Sequence, residues 1–408
     1  MRRRKNSSGA LLKPDMIQKE RSHGSSDLLE AALATPPSTR TGTFSPTGSM
    51  ASARSLHTAT ALANGTVLIA GGFDSSMATL ASAEIYDPIT GLFTATGAMS
   101  AARVAAEAAR LRNGQVLMVG GQDASGNAIA SVDLYDPITG TFSPTGPLIT
   151  PRLNPTVTLL KDGRVLVAGG YEGTSHGTPL ATAEIYKPKS GRFVETGSLD
   201  TARRNATATR LRDGTVLIAG GYNGEAVNAP ERFEPESSTF SSAAAMSTPR
   251  RYPSASLLPG GAVLMAGGFA TAYGDLLVSS ERFLPSGRPS PKSSGAFVKA
   301  GTMHTARGRH TATTVNRKAI LIAGGYDGAH PLASAEIYDV GRQTFNKVGS
   351  MQTARYRHTA TPLTDGSVLV VGGEDANGAL ATAELFHLST PLSRLDAGQL
   401  TANPVGLG

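Results

Sequence analysis

The sequence predicts an all-β fold, a seven-bladed β-propeller with four antiparallel strands per blade. Seven Gly-Gly pairs run from Gly71-Gly72 to Gly372-Gly373 at spacings of 47 to 57 residues, a period typical of propeller blades. Six of the seven repeats contain four short segments of strand-like composition, the number found in a blade, and the seventh contains three. A stray copy of the fourth segment precedes the first repeat, which indicates how the ring closes.

The second strand of each unit is the clearest element. Every Gly-Gly pair ends an apolar run rich in β-branched residues, such as Val67–Ala70 and Val368–Val371, which is typical of a short buried strand. An Asn-Gly or Asp-Gly pair precedes five of the seven runs and favours a tight hairpin turn. Gly260-Gly261 takes that place in the fifth unit, and Arg317-Lys318, a poorer turn sequence, takes it in the sixth.

Two other features recur in every unit. An arginine stands 17 residues before the first Gly and marks the entry to the first strand. Downstream, an acidic residue, one spacer and an aromatic residue mark the third strand, for example Glu84 and Tyr86. A fourth strand is marked by phenylalanine in six units: Phe93, Phe142, Phe193, Phe240, Phe297 and Phe345.

The seventh unit lacks this fourth strand. Its missing copy stands before the first unit, where residues 41–48 (TGTFSPTG) match residues 139–146 (TGTFSPTG). We therefore expect the N-terminal strand to pair with the last blade, so that the ring closes without an open sheet edge. This predicts a propeller over residues 41–390, a disordered basic segment over 1–40 and a C-terminal tail over 391–408.

These motifs resemble the kelch-repeat family over about residues 42–390. The Gly-Gly pair after a hydrophobic strand, the downstream Tyr and the near-constant unit length carry the resemblance. The sequence patterns RxxHTATxLxDGxVLxxGG and AEIYDPxTGxF are most similar to those of the bacterial, galactose-oxidase-like branch. One departure is that the kelch pattern has Trp on the fourth strand, where this chain has Phe. Galactose oxidase needs copper and a Tyr–Cys crosslink, which a chain without cysteine cannot form. We therefore expect no cofactor.

Composition excludes several other classes. The absence of cysteine excludes disulfides and thiolate metal sites. The net charge of +7 is uneven: residues 1–40 carry eight basic and four acidic residues, and the remainder carries 30 and 27. This is weak support for nucleic-acid binding, and we expect none. No apolar run is long enough for a transmembrane helix, and Met1–Lys5 is not followed by the apolar core of a secretory signal. The cytoplasm is the default expectation, with secretion the alternative if the start lies elsewhere.

The residues that repeat seven times are expected to build the ring. In an up-and-down blade the arginine can reach the acid across the Gly-Gly pair, because neighbouring strands lie about 4.8 Å apart. We predict structural ion pairs, with a ring of anion-binding arginines as the alternative. The arginines are Arg54, Arg103, Arg152, Arg203, Arg250, Arg307 and Arg355. The acids are Glu84, Asp133, Glu184, Glu231, Glu281, Glu336 and Glu384.

Ligand-binding candidates lie where the repeat is broken. Four extra arginines near the same mouth have no acidic partner by pattern: Arg204, Arg251, Arg309 and Arg357. Three histidines share one position in consecutive units: His57, His310 and His358. We expect local hydrogen bonding for them rather than a metal site. Five aromatic residues open the variable loops after Gly-Gly, where they either stack on a ligand or pack between blades: Phe73, Tyr171, Tyr222, Phe269 and Tyr326.

The function most consistent with this pattern is a non-catalytic, monomeric scaffold. It would bind a protein or carbohydrate ligand, acidic ligands included, on the face that carries the loops after Gly-Gly. This expectation depends mainly on the fold, which serves many functions. One alternative is a sugar-acting enzyme at the channel mouth, similar to a sialic-acid mutarotase, since an Arg, a Glu and a His near one mouth suffice for general acid–base chemistry. The other is a structural segment of a larger surface protein.

Overall fold

A computed structural model of the chain describes residues 41–174, 177–272, 274–286 and 294–389. These residues form seven four-stranded antiparallel sheets arranged as blades around a central channel. The segments 1–40 and 391–408, for which disorder and a tail are predicted, lie outside the described residues. The described residues contain no helix, and so none that could span a membrane.

The first strands are mutual neighbours and surround the channel. They are β2 (Thr58–Ala61), β6 (Glu107–Arg110), β10 (Thr156–Leu159), β14 (Thr207–Arg210), β18 (Ser254–Leu257), β22 (Thr311–Asn316) and β26 (Thr359–Pro362). The second strands end at the Gly-Gly pairs. They are β3 (Val67–Ala70), β7 (Val116–Val119), β11 (Val165–Ala168), β15 (Val216–Ala219), β19 (Val263–Ala266), β23 (Ala319–Ala323) and β27 (Val368–Val371).

The two outer strands of each blade follow in order. The third strands are β4 (Ala83–Asp87), β8 (Val132–Asp136), β12 (Ala183–Lys187), β16 (Glu231–Glu234), β20 (Ser279–Leu284), β24 (Ala335–Asp339) and β28 (Ala383–Ser389). The fourth strands of blades 1 to 6 are β5 (Leu92–Thr96), β9 (Thr141–Pro144), β13 (Arg192–Glu195), β17 (Thr239–Ser242), β21 (Ala296–Thr302) and β25 (Thr344–Lys347).

Blade 7 takes its fourth strand from the other end of the chain, as the sequence predicts. β1 (Thr41–Pro46) pairs antiparallel with β28, in register from Thr41 opposite Ser389 to Pro46 opposite Glu384. The Phe44 and Phe386 rings lie 5.0 Å apart, which repeats the aromatic pair of the other blades. The prediction of a closed seven-bladed ring is therefore confirmed.

The core lies between blades rather than within them. Every second strand is fully buried, because both faces of its sheet pack against neighbouring blades. One cluster of buried apolar residues fills each of the seven blade interfaces. Phe on the fourth strand packs tilted on the third-strand aromatic, as Phe93 does on Tyr86 at 4.8 Å. This position therefore remains aromatic without the expected Trp.

Candidate functional site

The seven repeated arginines are completely enclosed. Each guanidinium is at most 1% exposed and forms an ion pair with the acid of its own blade. The N–O distances are 3.1 Å for Arg54–Glu84, 2.5 Å for Arg103–Asp133, 2.9 Å for Arg152–Glu184, 2.6 Å for Arg203–Glu231, 3.0 Å for Arg250–Glu281, 3.2 Å for Arg307–Glu336 and 3.0 Å for Arg355–Glu384. Each arginine stands four residues before the first strand, not at its start as the sequence suggests.

Blade 1 shows why these arginines are not available to a ligand. Nη1 of Arg54 donates to the carbonyl oxygens of Gly71 and Ser82, and Nη2 donates to Ser82 Oγ and Glu84. Glu84 also accepts the backbone N–H groups of Ala51 and Ser52. Burial lowers the pKa of the Arg54 guanidinium, and Glu84 opposes that effect. This geometry favours the structural interpretation over a ring of anion-binding arginines.

The backbone of the same arginines joins adjacent blades. Arg103 of blade 2 donates its N–H to the Leu80 carbonyl of blade 1, and its carbonyl accepts the N–H of Gly72. A Cβ atom on Gly71 would stand 2.6 Å from that carbonyl oxygen, and Gly71 has a φ of +70°. The Gly-Gly pair is therefore required by the close approach of the next blade, and not by a ligand.

The three histidines do not share a centre. Each Nε2 is hydrogen-bonded to a hydroxyl of the preceding blade: His57 to Thr359 at 2.9 Å, His310 to Ser254 at 2.8 Å and His358 to Thr311 at 3.0 Å. Burial lowers the pKa of His57 and of His310 to about 3, and that of His358 well below its usual value; the buried arginines lower each further. The rings are therefore neutral at physiological pH and bond locally between blades.

A ring of backbone residues surrounds the channel mouth, which we call the crown. Its members stand two positions after the buried arginines and have left-handed φ angles of 50° to 56°. They are Leu56, Ala105, Asn154, Asn205, Tyr252, Arg309 and Arg357. Four N–H groups of the crown donate to the preceding member: Arg357 to Arg309, Leu56 to Arg357, Ala105 to Leu56 and Asn154 to Ala105.

The crown is open between Asn154 and Arg309. Within the described part of the chain, the N–H groups of Asn205, Tyr252 and Arg309 have no hydrogen-bond partner. A cavity of about 180 Å³ lies at this opening. Its lining combines these crown residues with Glu107 and His310 from the channel wall. We call this part of the mouth the open arc.

Arginine and tyrosine side chains alternate along the open arc. Arg204 lies over the rings of Tyr171 and Tyr222, at 4.5 and 5.2 Å from the centroids. Arg251 lies over Tyr222 at 4.5 Å and over Tyr252 at 5.1 Å. Arg309 lies over Tyr252 at 4.8 Å, which completes a row across blades 3 to 6 that we call the Arg–Tyr arch. Such cation–π contacts contribute roughly 0.5 to 2 kcal/mol each.

The extra arginines differ in how their charge is balanced. Arg357 forms an ion pair with Glu374 at 2.5 Å, a partner that the sequence pattern did not suggest. Arg251 donates from Nη1 to the Ala272 carbonyl at 3.1 Å. Arg309 has no acidic partner among the described residues, and its buried Nε has no hydrogen-bond acceptor there. Burial lowers the pKa of Arg309, and the charges of Arg357 and Arg251 lower it further.

The aromatic residues after Gly-Gly are half-buried or buried, and each forms a bridge to the residue that follows the buried arginine, as Phe73 does with Ser55. Tyr171 and Tyr222 belong to the Arg–Tyr arch. Phe269 packs edge-on against Tyr252 at 6.4 Å, and Tyr326 packs against Tyr356 at 5.4 Å. These aromatics therefore build the wall of the mouth.

Glu107 is the site residue that the sequence analysis did not identify. It opens β6, at the position where the other first strands begin with a hydroxyl residue: Thr58, Thr156, Thr207, Ser254, Thr311 and Thr359. Its side chain is open to the channel but enclosed by the ring of first strands, and this desolvation raises its pKa to about 7. The signal was available as the one acidic residue at a hydroxyl position.

Comparison with known proteins agrees with this architecture. Residues 306–352 match the family model of the Kelch motif. A fungal alcohol oxidase of the AA5 family, solved in complex with copper, superposes with a TM-score of 0.70 at 15% identity, covering 85% of this chain and 76% of the oxidase. No curated protein matches by sequence. One repeat of the chain therefore matches the Kelch motif, and its fold is similar to that of the AA5 oxidase.

The copper of that oxidase does not fit the residues of this propeller. The described residues contain no group of three His, Cys, Asp or Glu side chains placed to hold a metal ion. The three histidines near the mouth are each bonded to a hydroxyl of the preceding blade, and the sequence contains no cysteine. At 15% identity the likeness shows the fold alone.

Proposed function

We propose that this kelch propeller is a binding scaffold that holds its ligand at the channel mouth, on the face that carries the loops after Gly-Gly. The kelch fold supports a binding scaffold in general. The observation that carries the proposal for this face is the Arg–Tyr arch, which ends in Arg309 with no acidic partner among the described residues.

The chemistry of the arch suits a protein or carbohydrate ligand. Tyrosine and arginine are the side chains most enriched at the centres of binding interfaces. Tyr222 and Tyr252 each face a guanidinium, so their rings and the neighbouring cations form one continuous rigid surface. The rings offer stacking area to a sugar or an apolar side chain, and the arginines favour an acidic group on the ligand.

A glycan array combined with a displayed peptide library tests the proposal. The variant Tyr222→Ser/Arg251→Gln removes the middle of the arch, and we expect it to weaken binding of the selected ligand by about 10- to 100-fold, the usual effect of losing a central contact. The matched control is Arg112→Gln on the opposite face, where Arg112 contacts the Lys161 carbonyl. Binding that is insensitive to the arch variant, or is lost in the control, would contradict the proposed face.

A second candidate is an enzyme that acts on a sugar at the same mouth. Glu107 and Arg309 line one cavity, and a carboxyl with a pKa of about 7 suits general acid–base catalysis near neutral pH. Exchange of sugar anomers followed by NMR tests it. Acceleration by the protein that disappears in Glu107→Gln would support the enzyme, and exchange at the rate of buffer alone would count against it.

A further inference from the structure

We infer that the open arc is a binding site for one small organic acid that also carries a hydroxyl or amino group, with the carboxylate at Arg309 and the donor group at Glu107. This inference rests on the proposed function, because it names the ligand chemistry of the same mouth. It requires a cationic group and a hydrogen-bond acceptor in the lining of one small cavity, and the lining contains both.

The cationic end is Arg309. Its guanidinium stacks on Tyr252 and lies near the like charges of Arg251 and Arg357, while no acid among the described residues pairs with it. Arg309 is half-buried, and a partly desolvated cation gains from a counter-ion; a carboxylate that accepts two parallel N–H bonds is the usual complement of a guanidinium. A bound carboxylate would therefore relieve the charge that the three arginines concentrate here.

The backbone adds donors beside this guanidinium. The N–H groups of Asn205, Tyr252 and Arg309 have no partner in the described residues, whereas the rest of the crown is closed by hydrogen bonds. The side-chain amides of Asn154 and Asn205 border the same cavity. Together they form a cluster of donors that only this arc of the ring offers.

The hydrogen-bond acceptor in the lining of the same cavity is the carboxyl of Glu107. Among the described residues nothing donates a hydrogen bond to the Glu107 carboxyl, although it stands in a channel wall of hydroxyl residues. A ligand hydroxyl or amino group would complement it. A ligand that carries a carboxylate alone would satisfy Arg309 and leave Glu107 without a donor.

The size of the cavity limits the ligand further. The cavity of about 180 Å³ is smaller than the roughly 300 to 1,000 Å³ of drug-sized sites, so it accommodates one amino acid or one sugar acid. The loop aspartates Asp74, Asp123 and Asp327 accept backbone N–H groups of their own loops.

The test is isothermal titration of the full chain with D-glucuronate, L-malate and L-glutamate, alongside D-glucose and inorganic phosphate. With each ligand at a concentration of about 10 mM, which suffices to detect a Kd of about 1 mM, we expect at least one of the three acids to bind. We expect no binding of glucose or phosphate. Arg309→Asn should reduce affinity at least about tenfold. Glu107→Thr, which restores the hydroxyl of the other blades, should reduce it by a similar factor.

Both variants introduce residues that other blades already have at the equivalent positions, so we expect both to fold. Asparagine already occupies the crown in blades 3 and 4, and threonine already opens five of the first strands, so both changes fit the local backbone. The inference is overturned if none of the three acids binds, if binding survives Arg309→Asn, or if phosphate binds as well as the acids and Glu107→Thr has no effect. Retained binding of a glycan or peptide to the arch in those cases would leave the proposed function standing.

Discussion

At the scale of single residues, the crown separates what the fold requires from what a ligand would require. All seven crown residues have left-handed φ angles, so this conformation is a feature of the repeat and does not by itself mark a ligand site. Asparagine tolerates this region, whereas a residue such as arginine or tyrosine is disfavoured there by roughly 1 to 2 kcal/mol. Arg309 and Tyr252 are therefore kept at a cost in stability, at the point where the crown opens.

The first prediction follows from that cost. Arg309→Asn should raise the free energy of unfolding by about 1 kcal/mol, because relief of the backbone strain and removal of the uncompensated charge outweigh the lost cation–π contact with Tyr252. Equilibrium denaturation in urea measures the change. The reverse substitution, Asn205→Arg, should destabilise the protein by a similar amount. A stability loss in Arg309→Asn would show that the guanidinium holds the ring together instead.

The second prediction concerns Glu107 and pH. Its folded-state pKa of about 7 lies above the usual value of a carboxyl, so the folded chain binds the proton more tightly than the unfolded chain does. Glu107 therefore destabilises the fold progressively from about pH 4.5 to pH 7, and fully above it. Among the charged neighbours in the cavity, Arg309 stays protonated and His310 stays neutral over this range.

Melting curves at several pH values measure this effect. Glu107→Thr should raise the melting temperature at pH 8 and leave it unchanged at pH 4.5. The exposed Glu225→Thr serves as the matched control, since removing a carboxylate from an outer loop carries no such desolvation. An equal shift at both pH values would show that Glu107 titrates like a surface carboxyl.

At the scale of the element, a blade is fixed to its neighbours by the buried ion pair together with the Gly-Gly pair. Arg250 donates to the Gly267 and Ser279 carbonyls and to Glu281, so one side chain connects the entry segment with the second and third strands. Whether such a pair adds net stability over apolar residues is a separate matter, because both charges are desolvated. The ion pair fixes the register of the entry segment, the second strand and the third strand relative to one another.

The third prediction tests this pair by breaking it on one side. Arg250→Met leaves Glu281 charged and buried, and should lower the free energy of unfolding by about 3 to 5 kcal/mol. Arg250→Met/Glu281→Gln should recover part of that loss, because the uncompensated charge is gone. Arg342→Met, which breaks an ion pair whose arginine is 53% exposed, should cost at most about 1 kcal/mol. Denaturant unfolding of the four proteins provides the comparison.

The elements also show what the sequence could reveal. The Gly-Gly strands and the Arg–acid pairs were predictable because they repeat seven times and depend on local geometry. The Arg–Tyr arch was not, because it joins side chains of four different blades, and two of them, Tyr252 and Arg309, leave left-handed residues. Glu107 was missed for a different reason: its significance depends on the channel position, which only the assembled ring creates.

At the scale of the whole molecule, the ring is completed by the pairing of β1 with β28, the strands at its two ends. Six residue pairs and the Phe44–Phe386 contact attach the first strand to the last blade, and the N–H of Gly349, which follows blade 6, donates to the Gly42 carbonyl. Each blade packs only on its neighbours, so this contact decides whether the ring unfolds as one unit or from an open end. The near-identity of residues 41–48 and 139–146 made this closure predictable.

The last prediction compares two truncated chains, one that starts at Thr41 and one that starts at Thr47. Loss of β1 removes the Phe44 contact and exposes the edge of β28, which should cost at least about 5 kcal/mol and lower the melting temperature by roughly 5 to 10 °C. A synthetic peptide of residues 41–50 should restore the melting temperature by adding the strand in trans.

Phe142→Ala is the control, because it removes the equivalent aromatic contact with Tyr135 inside a covalently continuous blade. If the closure strand contributes more than its own contacts, the truncation from Thr47 will broaden the unfolding transition while Phe142→Ala only shifts it; equal, sharp transitions would show that the ring remains cooperative without its closing strand.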